Sequence, residues 1–167
     1  MKNMETLERL WAMADREAER TGPLFDLGCI GLHLQRPLSN AGYNFTPTNS
    51  STFAGTGGDG VHFGLLHING EVSDDSPVVM TVPMMFEEAN VVLGENLLEF
   101  LRLGCQVGYF DLEQLVYDKQ EAIRSIAHPQ TWAEEIKSWI DQQEAYGFDA
   151  ATRAIGQFME TGLLPII

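Results

Sequence analysis

Apolar residues recur along this chain with two different spacings, which predict a helix and, further on, strands. Over residues 4–20 they repeat at three- and four-residue steps, as in an amphipathic helix with one face on a core. That stripe consists of Met4, Leu7, Leu10, Trp11 and Ala14. From residue 61 the spacing becomes two, so Val61, Phe63 and Leu65 share one face of a strand. The N-terminal helix and the β region are therefore separate elements.

A glycine-rich segment stands immediately before that strand and contains Gly57, Gly58, Asp59 and Gly60. Glycine accepts positive φ, so the segment predicts a tight turn. It lacks the lysine and the spacing of a phosphate-binding loop, and its aspartate would repel phosphate. It also lacks the repeated Asp and Asn ligands of a calcium loop. We interpret it as a structural turn that leads into the strand.

Strand and turn signals continue as far as residue 94. Residues 29–34 predict a short strand, and residues 37–51, rich in Asn, Thr, Ser and Pro, predict a loop. Asn69 and Gly70 mark a turn, and a strand bounded by prolines follows over residues 77–83. Residues 90–93 predict a third strand before a strongly apolar helix over residues 95–109. The segment from 61 to 84 is thus expected to be a β-hairpin.

The last third of the chain predicts helices only. Thr131 and Glu134 form a capping box, and Asp149 suits the start of a final helix. We expect a single domain over residues 1–167, with an α+β core over 1–110 and a helical C-terminal extension over 111–167. The expected fold class is α+β, an antiparallel sheet with helices packed on it and an all-helical C-terminal third. The apolar tail over residues 163–167 makes a homo-oligomer one expected arrangement.

The charge of the chain restricts its partners. The formal net charge is −14, from 24 acidic and 10 basic residues. Nucleic acids and anionic membranes are bound through Lys and Arg, so neither is an expected partner. An acidic chain attracts a basic protein or a cation instead, although the same charge also serves solubility alone.

The cysteines and the N-terminus predict a cytoplasmic protein. Cys29 and Cys105 both stand in apolar surroundings, and two cysteines make no disulfide framework. The first twenty residues carry too many charges for a signal peptide, and no apolar run reaches the length of a membrane span.

The residues that could carry catalysis are few and weakly patterned. Asp59, His62, Ser50 and Ser51 crowd together in sequence, and an Asp–His pair in one pocket can perform acid–base chemistry. A small enzyme or ligand-binding domain with a site near Asp59, His62 and the Ser50–Ser51 loop is therefore the alternative hypothesis. His62 and His67 are five residues apart, which places them on opposite faces of a strand. We expect no metal site and no cofactor.

The order of elements between residues 50 and 103 resembles the second half of the SUKH superfamily, the Smi/Knr-type proteins. The matching pieces are the turn at Gly58, Asp59 and Gly60, the strand that begins with Pro77, Val78 and Val79, and the helix over residues 96–103. Many members of this superfamily are bacterial immunity proteins. The resemblance implies an α+β fold without catalysis.

The resemblance and the charge together predict a non-enzymatic protein-binding module, an acidic immunity protein that neutralises a basic toxin. Toxin nucleases are basic where they hold nucleic acid, so an acidic surface would speed association with one. We expect the partner to contact exposed acids near the central hairpin. These acids are Glu71, Asp74, Asp75, Glu87 and Glu88.

Overall fold

The computed structural model describes residues 3–22, 27–118, 120 and 122, without the side chains of Thr21, Cys29 and Glu87. The predicted N-terminal helix is confirmed as α1, and the apolar helix as α2, which begins at an Asn96 cap. Three short 3-10 turns cover Leu27–Ile30, Pro83–Glu88 and Asp111–Glu113. The helices and strands are α1 (Glu5–Thr21), β1 (His33–Ser39), β2 (Ser50–Gly55), β3 (His62–Leu66), β4 (Val78–Thr81), β5 (Asn90–Gly94), α2 (Leu97–Val107) and α3 (Gln114–Tyr117).

The five strands form one antiparallel sheet in the order β1-β2-β3-β4-β5. Each strand pairs with its sequence neighbour, and the register of β3 with β4 runs from His62 opposite Thr81 to Leu65 opposite Val78. The predicted hairpin and the predicted third strand are both confirmed, and so is the α+β class. The predicted helices beyond residue 122, including those at Thr131 and Asp149, lie outside the described residues.

Two sequence predictions between residues 29 and 55 are wrong. The predicted strand over 29–34 is a 3-10 turn up to Ile30, and β1 begins only at His33. The predicted loop over 37–51 is strand at both ends: residues 37–39 belong to β1, and residues 50–51 open β2, a central strand that the sequence did not predict. Its Ser and Thr residues suggested a loop, but the Thr52 side chain is 0% exposed between two neighbouring strands. Pairing on both sides satisfies the β2 backbone whatever the polarity of the side chains.

Both long helices pack on one face of the sheet. Leu7, Leu10 and Met13 of α1 belong to the same buried cluster as the α2 residues Phe100 and Leu101. The Phe100 ring lies 5.6 Å from Phe53 of β2, 4.8 Å from Phe63 of β3 and 5.4 Å from Tyr109, measured between centroids. Each such ring pair adds about 1 kcal/mol to the burial of its area. This aromatic group joins α2 to the middle of the sheet.

Asp74 fastens the start of α1 to the connection between β3 and β4. One carboxylate oxygen accepts the N–H of Thr6 at 2.6 Å, and the other accepts that of Leu7 at 3.2 Å. The first N–H groups of a helix have no partner within the helix, and a negative charge beside them interacts favourably with the positive end of the helix dipole. The backbone of Asp74 also accepts the N–H of Leu97 at 2.9 Å. One residue therefore holds the first turns of both long helices.

The other face of the sheet is covered in part by the loop between β1 and β2. The Thr46 hydroxyl bonds the His62 imidazole, and the Asn90 amide donates to the Phe45 carbonyl at 2.9 Å. The register of β1 with β2 shifts between Leu34 and Ser39, as at a β-bulge. Such bulges occur frequently beside binding sites. Within the described ranges, no helix is both long and apolar enough to cross a membrane.

Candidate functional site

The sheet distributes the acidic residues expected to bind a partner over two ends. Glu71 and Asp75 are exposed in the β3–β4 connection, whereas Glu88 is exposed in the β4–β5 connection. These connections lie at opposite ends because β3, β4 and β5 are antiparallel, and five strand residues span about 15 Å. The structure does not bring these acids onto one surface. Glu87 belongs to the 3-10 turn over Pro83–Glu88, at the same end as Glu88.

Asp74 is not an exposed acid, so the expectation that it lies on the surface is wrong. Its residue is only 8% exposed, and both carboxylate oxygens are occupied by the backbone of α1. A helix start needs an acceptor, and Met4 at the N-cap position provides no side-chain bond. The requirement of α1 for a cap explains the burial of this carboxylate.

The glycine-rich segment is the predicted tight turn between β2 and β3. Gly57, Asp59 and Gly60 all have positive φ, and the N–H of Val61 donates to the carbonyl of Gly58 at 3.0 Å. A Cβ atom on Gly57 would lie 2.5 Å from Nε2 of His33, and one on Gly60 would lie 2.8 Å from the Tyr43 ring. Glycine is needed here for space as well as for backbone conformation, since two rings press against the turn.

His62 is buried beneath this turn in a fixed orientation. Its Nδ1 donates to the Gly60 carbonyl at 2.7 Å, because a carbonyl can only accept. In the neutral ring Nε2 then accepts from the Thr46 hydroxyl at 3.1 Å. The Tyr43 ring stacks on the imidazole at 5.5 Å with an interplanar angle of 19°. Burial lowers the pKa of His62, and the bond to Gly60 opposes this effect. The residue is therefore neutral at physiological pH.

The residues of the alternative catalytic hypothesis do not form one arrangement. His62 lines a cleft that Asp59 does not line, and the exposed Asp59 lies instead near Glu113. The Ser50 hydroxyl donates to the Pro47 carbonyl at 2.7 Å. Ser51 of β2 bonds Nε2 of His67, the residue after β3, at 3.0 Å, a contact that no local spacing in the sequence signals. His62, Ser50 and Ser51 thus each have a different hydrogen-bond partner.

The cleft beside His62 has a volume of about 480 Å³, within the usual range for small-ligand pockets. One side is formed by β1 and the residues after it, and the other by the glycine-rich turn. Among the described residues, its lining contains two histidines, His33 and His62, and no Asp, Glu, Lys or Arg. This part of the lining is polar.

An acidic group lies on the other side of the glycine-rich turn. Burial raises the pKa of Glu113, and the nearby negative charges of Asp59 and Asp111 raise it further. The pKa of Tyr117 is raised by burial and by the carboxylates of Glu113 and Asp59. These shifts show that the four side chains share one electrostatic environment. Residues 37–118 contain eleven acids and a single Lys or Arg, which is Arg102 of α2.

Exposed apolar side chains stand at the same end of the sheet. Phe86 is 67% exposed and Met84 is 62% exposed, in the 3-10 turn over Pro83–Glu88, which contacts α3. Phe86 also has φ 50° and ψ −118°, a backbone conformation that is strained for a bulky residue. Its ring meets Phe45 edge to face at 5.9 Å. Large exposed apolar residues of this kind are typical of interaction sites.

We call these residues together the acidic–aromatic surface, defined as Asp59, Met84, Phe86, Glu88, Asp111, Glu113 and Tyr117. Sequence reasoning identified only Glu88 of this set as a contact. The available signal was the apolar segment from Met84 to Phe86, which follows a proline, precedes two glutamates and continues no strand or helix period. The proximity of Asp59 to Glu113 depends on the fold and has no local signal.

The described part of the chain contains no group of three or more His, Cys, Asp or Glu residues arranged to hold a metal ion. His62 and His67 bond different hydroxyl groups, Thr46 and Ser51. Burial raises the pKa of the Cys105 thiol, which opposes thiolate chemistry.

No family model, no curated protein and no solved structure matches the chain. The resemblance to the SUKH superfamily therefore stays a prediction.

Proposed function

We propose that this protein is a non-enzymatic binding module that holds a basic protein partner on its acidic–aromatic surface. The observation that carries the proposal is the exposure of Phe86 and Met84 at the end of the sheet where Asp59, Asp111 and Glu113 come close together. Aromatic residues and methionine are enriched in interfaces, where a few of them provide most of the binding energy. The carboxylates steer a basic partner and select its orientation.

A basic partner would also relieve the repulsion within this surface. The negative charges of Asp59 and Asp111 disfavour the ionised form of Glu113. A lysine or arginine placed among them would favour ionisation instead. Binding is thus expected to lower the pKa of Glu113. The resemblance to the SUKH superfamily supports a toxin as the partner, and an immunity role is the form of the proposal that we favour.

The test compares two ends of the same sheet. Wild-type protein is used to capture partners from its native host, and each bound protein is eluted with increasing salt. The first variant carries Asp111→Asn, Glu113→Gln and Phe86→Ser, and the control carries Glu71→Gln and Asp75→Asn at the opposite end. We expect a basic protein that leaves at moderate salt, is lost in the first variant and is retained in the control.

Two results would overturn the proposal. One is a partner that binds the surface variant as strongly as it binds the wild type. The other is a partner whose elution does not depend on salt, since contacts between exposed charges weaken when they are screened. Loss of binding in the control alone would assign the interface to the acids of the β3–β4 connection.

A further inference from the structure

The cleft and the acidic–aromatic surface meet at the glycine-rich turn, where Gly58 and Gly60 line the cleft and Asp59 belongs to the surface. In a chain with 24 acidic and 10 basic residues, the described residues that line the cleft include two histidines but no Asp, Glu, Lys or Arg. A charged ligand would lose hydration in this cleft without gaining a counter-charge. The net charge of −14 further disfavours anions. The ligand that fits is uncharged.

Some lining residues are held in place by hydrogen bonds or by close packing, and they fix the shape of the cleft. The Asn40 amide nitrogen donates to the carbonyls of Pro47 and Ser50, and its oxygen accepts from the N–H of Gly42 at 2.9 Å. Both ring nitrogens of His62 are bonded. The His33 ring is enclosed between Gly28 and Gly57, where any Cβ would overlap it. These residues form a preformed frame, which lowers the entropic cost of binding.

Three polar groups of the lining make no hydrogen bond to another described residue. They are the Gln35 amide, the Ser39 hydroxyl and the Tyr43 hydroxyl. Each group both donates and accepts hydrogen bonds. Gln35 lies in the segment of β1 where the register with β2 shifts, and it lines the cleft. The half-exposed Tyr43 ring adds an apolar surface.

We propose that this cleft binds an uncharged, hydroxyl-rich small molecule of the mono- or disaccharide class. Sugar hydroxyls donate and accept at the same atom, which matches the amide and hydroxyl groups of Gln35, Ser39 and Tyr43. The C–H face of a sugar ring packs on an aromatic ring such as that of Tyr43. The volume of about 480 Å³ accommodates a ligand of this size.

The test titrates the full-length protein with a panel of neutral mono- and disaccharides, followed by ligand-observed saturation-transfer NMR. Uronic acids and amino sugars of the same ring size serve as charged counterparts. We expect at least one neutral sugar to bind and its charged counterparts to bind more weakly. Combining Gln35→Leu with Tyr43→Phe should weaken binding about tenfold, since two hydrogen bonds are lost.

The matched control is Gln106→Leu, the same substitution at an exposed position of α2. It should bind the sugar as the wild type does. The proposal is overturned if no sugar of the panel binds, if the charged counterparts bind equally well, or if the double variant keeps full affinity. Partner capture on the acidic–aromatic surface is measured separately, so failure of one proposal leaves the other standing.

Discussion

The imidazole of His62 is held between the Gly60 carbonyl and the Thr46 hydroxyl and is covered by Tyr43. Burial lowers its pKa, so the native state resists protonation where the unfolded chain accepts a proton near its ordinary pKa of about 6.5. Between the two pKa values the unfolded state binds more protons. Stability therefore falls as the pH decreases through this window.

We predict that His62→Ala lowers the free energy of unfolding by about 2–3 kcal/mol, because two buried hydrogen-bond partners lose their ring. Urea denaturation at pH 7.5 and at pH 5.5 measures the effect. The wild type should lose stability between these values, and the variant should lose less. An equal pH dependence in both proteins would contradict the assignment. Thr46→Val keeps the imidazole ring and removes one hydrogen bond, so its free energy of unfolding should lie between those of the wild type and His62→Ala.

Glu113 titrates in the opposite sense. Burial and the charges of Asp59 and Asp111 raise its pKa, so the native state holds more protons than the unfolded chain between the ordinary and the raised values. Stability from this group is complete below the ordinary pKa and is lost as the pH rises through the raised one. Ionised Glu113 at pH 7 therefore destabilises the fold.

We predict that Glu113→Gln stabilises the protein at pH 7 by less than about 0.5 kcal/mol, since the residue is partly exposed. The difference from wild type should disappear near pH 4, where both side chains are neutral. Paired urea titrations at the two pH values provide the measurement. A destabilised variant at pH 7 would show that Glu113 forms a favourable contact as a carboxylate.

At the scale of the element, α1 depends on a residue from another part of the chain. Asp74→Asn should lower the free energy of unfolding by about 2 kcal/mol, because a buried carboxylate that receives two helix N–H groups becomes neutral. Asp75→Asn is the matched control, because the Asp75 side chain is at the adjacent position and is exposed. This substitution should change the free energy of unfolding by less than about 0.5 kcal/mol. Chemical denaturation of the two variants in parallel makes the comparison. Equal effects would mean that Asp74 does not act as the cap of α1.

The elements that could be predicted from the sequence are those with a clear period or a clear turn. α1, β3, β4, β5 and α2 each carry an apolar repeat, and Asn69 with Gly70 provides the positive φ of a hairpin turn. β2 was missed because its Ser and Thr residues favour loops until two neighbouring strands enclose them. Asp74 was misjudged for a related reason, since its acceptor role follows from a long-range contact.

In the candidate site, too, local features could be predicted from the sequence and long-range contacts could not. The glycine-rich turn was predictable as a turn, because glycine is required for the positive φ of Gly57 and Gly60. Its closeness to His33 and Tyr43 was not, since those rings come from β1 and the loop after it. The exposed Phe86 and the group formed by Asp59, Asp111 and Glu113 likewise arise from the meeting of separate elements.

At the scale of the whole molecule, the charges are unevenly distributed along the chain. Arg9, Arg20 and Arg36 are paired with Glu5, Glu17 and Asp15 on α1 and β1. From residue 37 to residue 118 only Arg102 opposes eleven acids. Such a chain repels itself when compact, and salt screens this repulsion.

We predict that the thermal midpoint of the protein rises with sodium chloride concentration at pH 7, because screening reduces the repulsion of the excess carboxylates. The measurement is differential scanning calorimetry over a range of salt. The same series near the pI of about 4.5 should show a weaker dependence. A midpoint that falls with salt at pH 7 would mean that the ion pairs of α1 and β1 outweigh the general repulsion.

The distance along the chain between α1 and its cap also has a consequence for synthesis. The carboxylate that receives the N–H of Thr6 lies 68 residues further along the chain. A ribosome makes the helix first, and its opening turn stays without this acceptor until the β3–β4 connection has left the exit tunnel. A nascent chain that stops before Asp74 also lacks β4, β5 and α2, which share the buried cluster of α1, so we expect it to present the apolar stripe of α1 to chaperones.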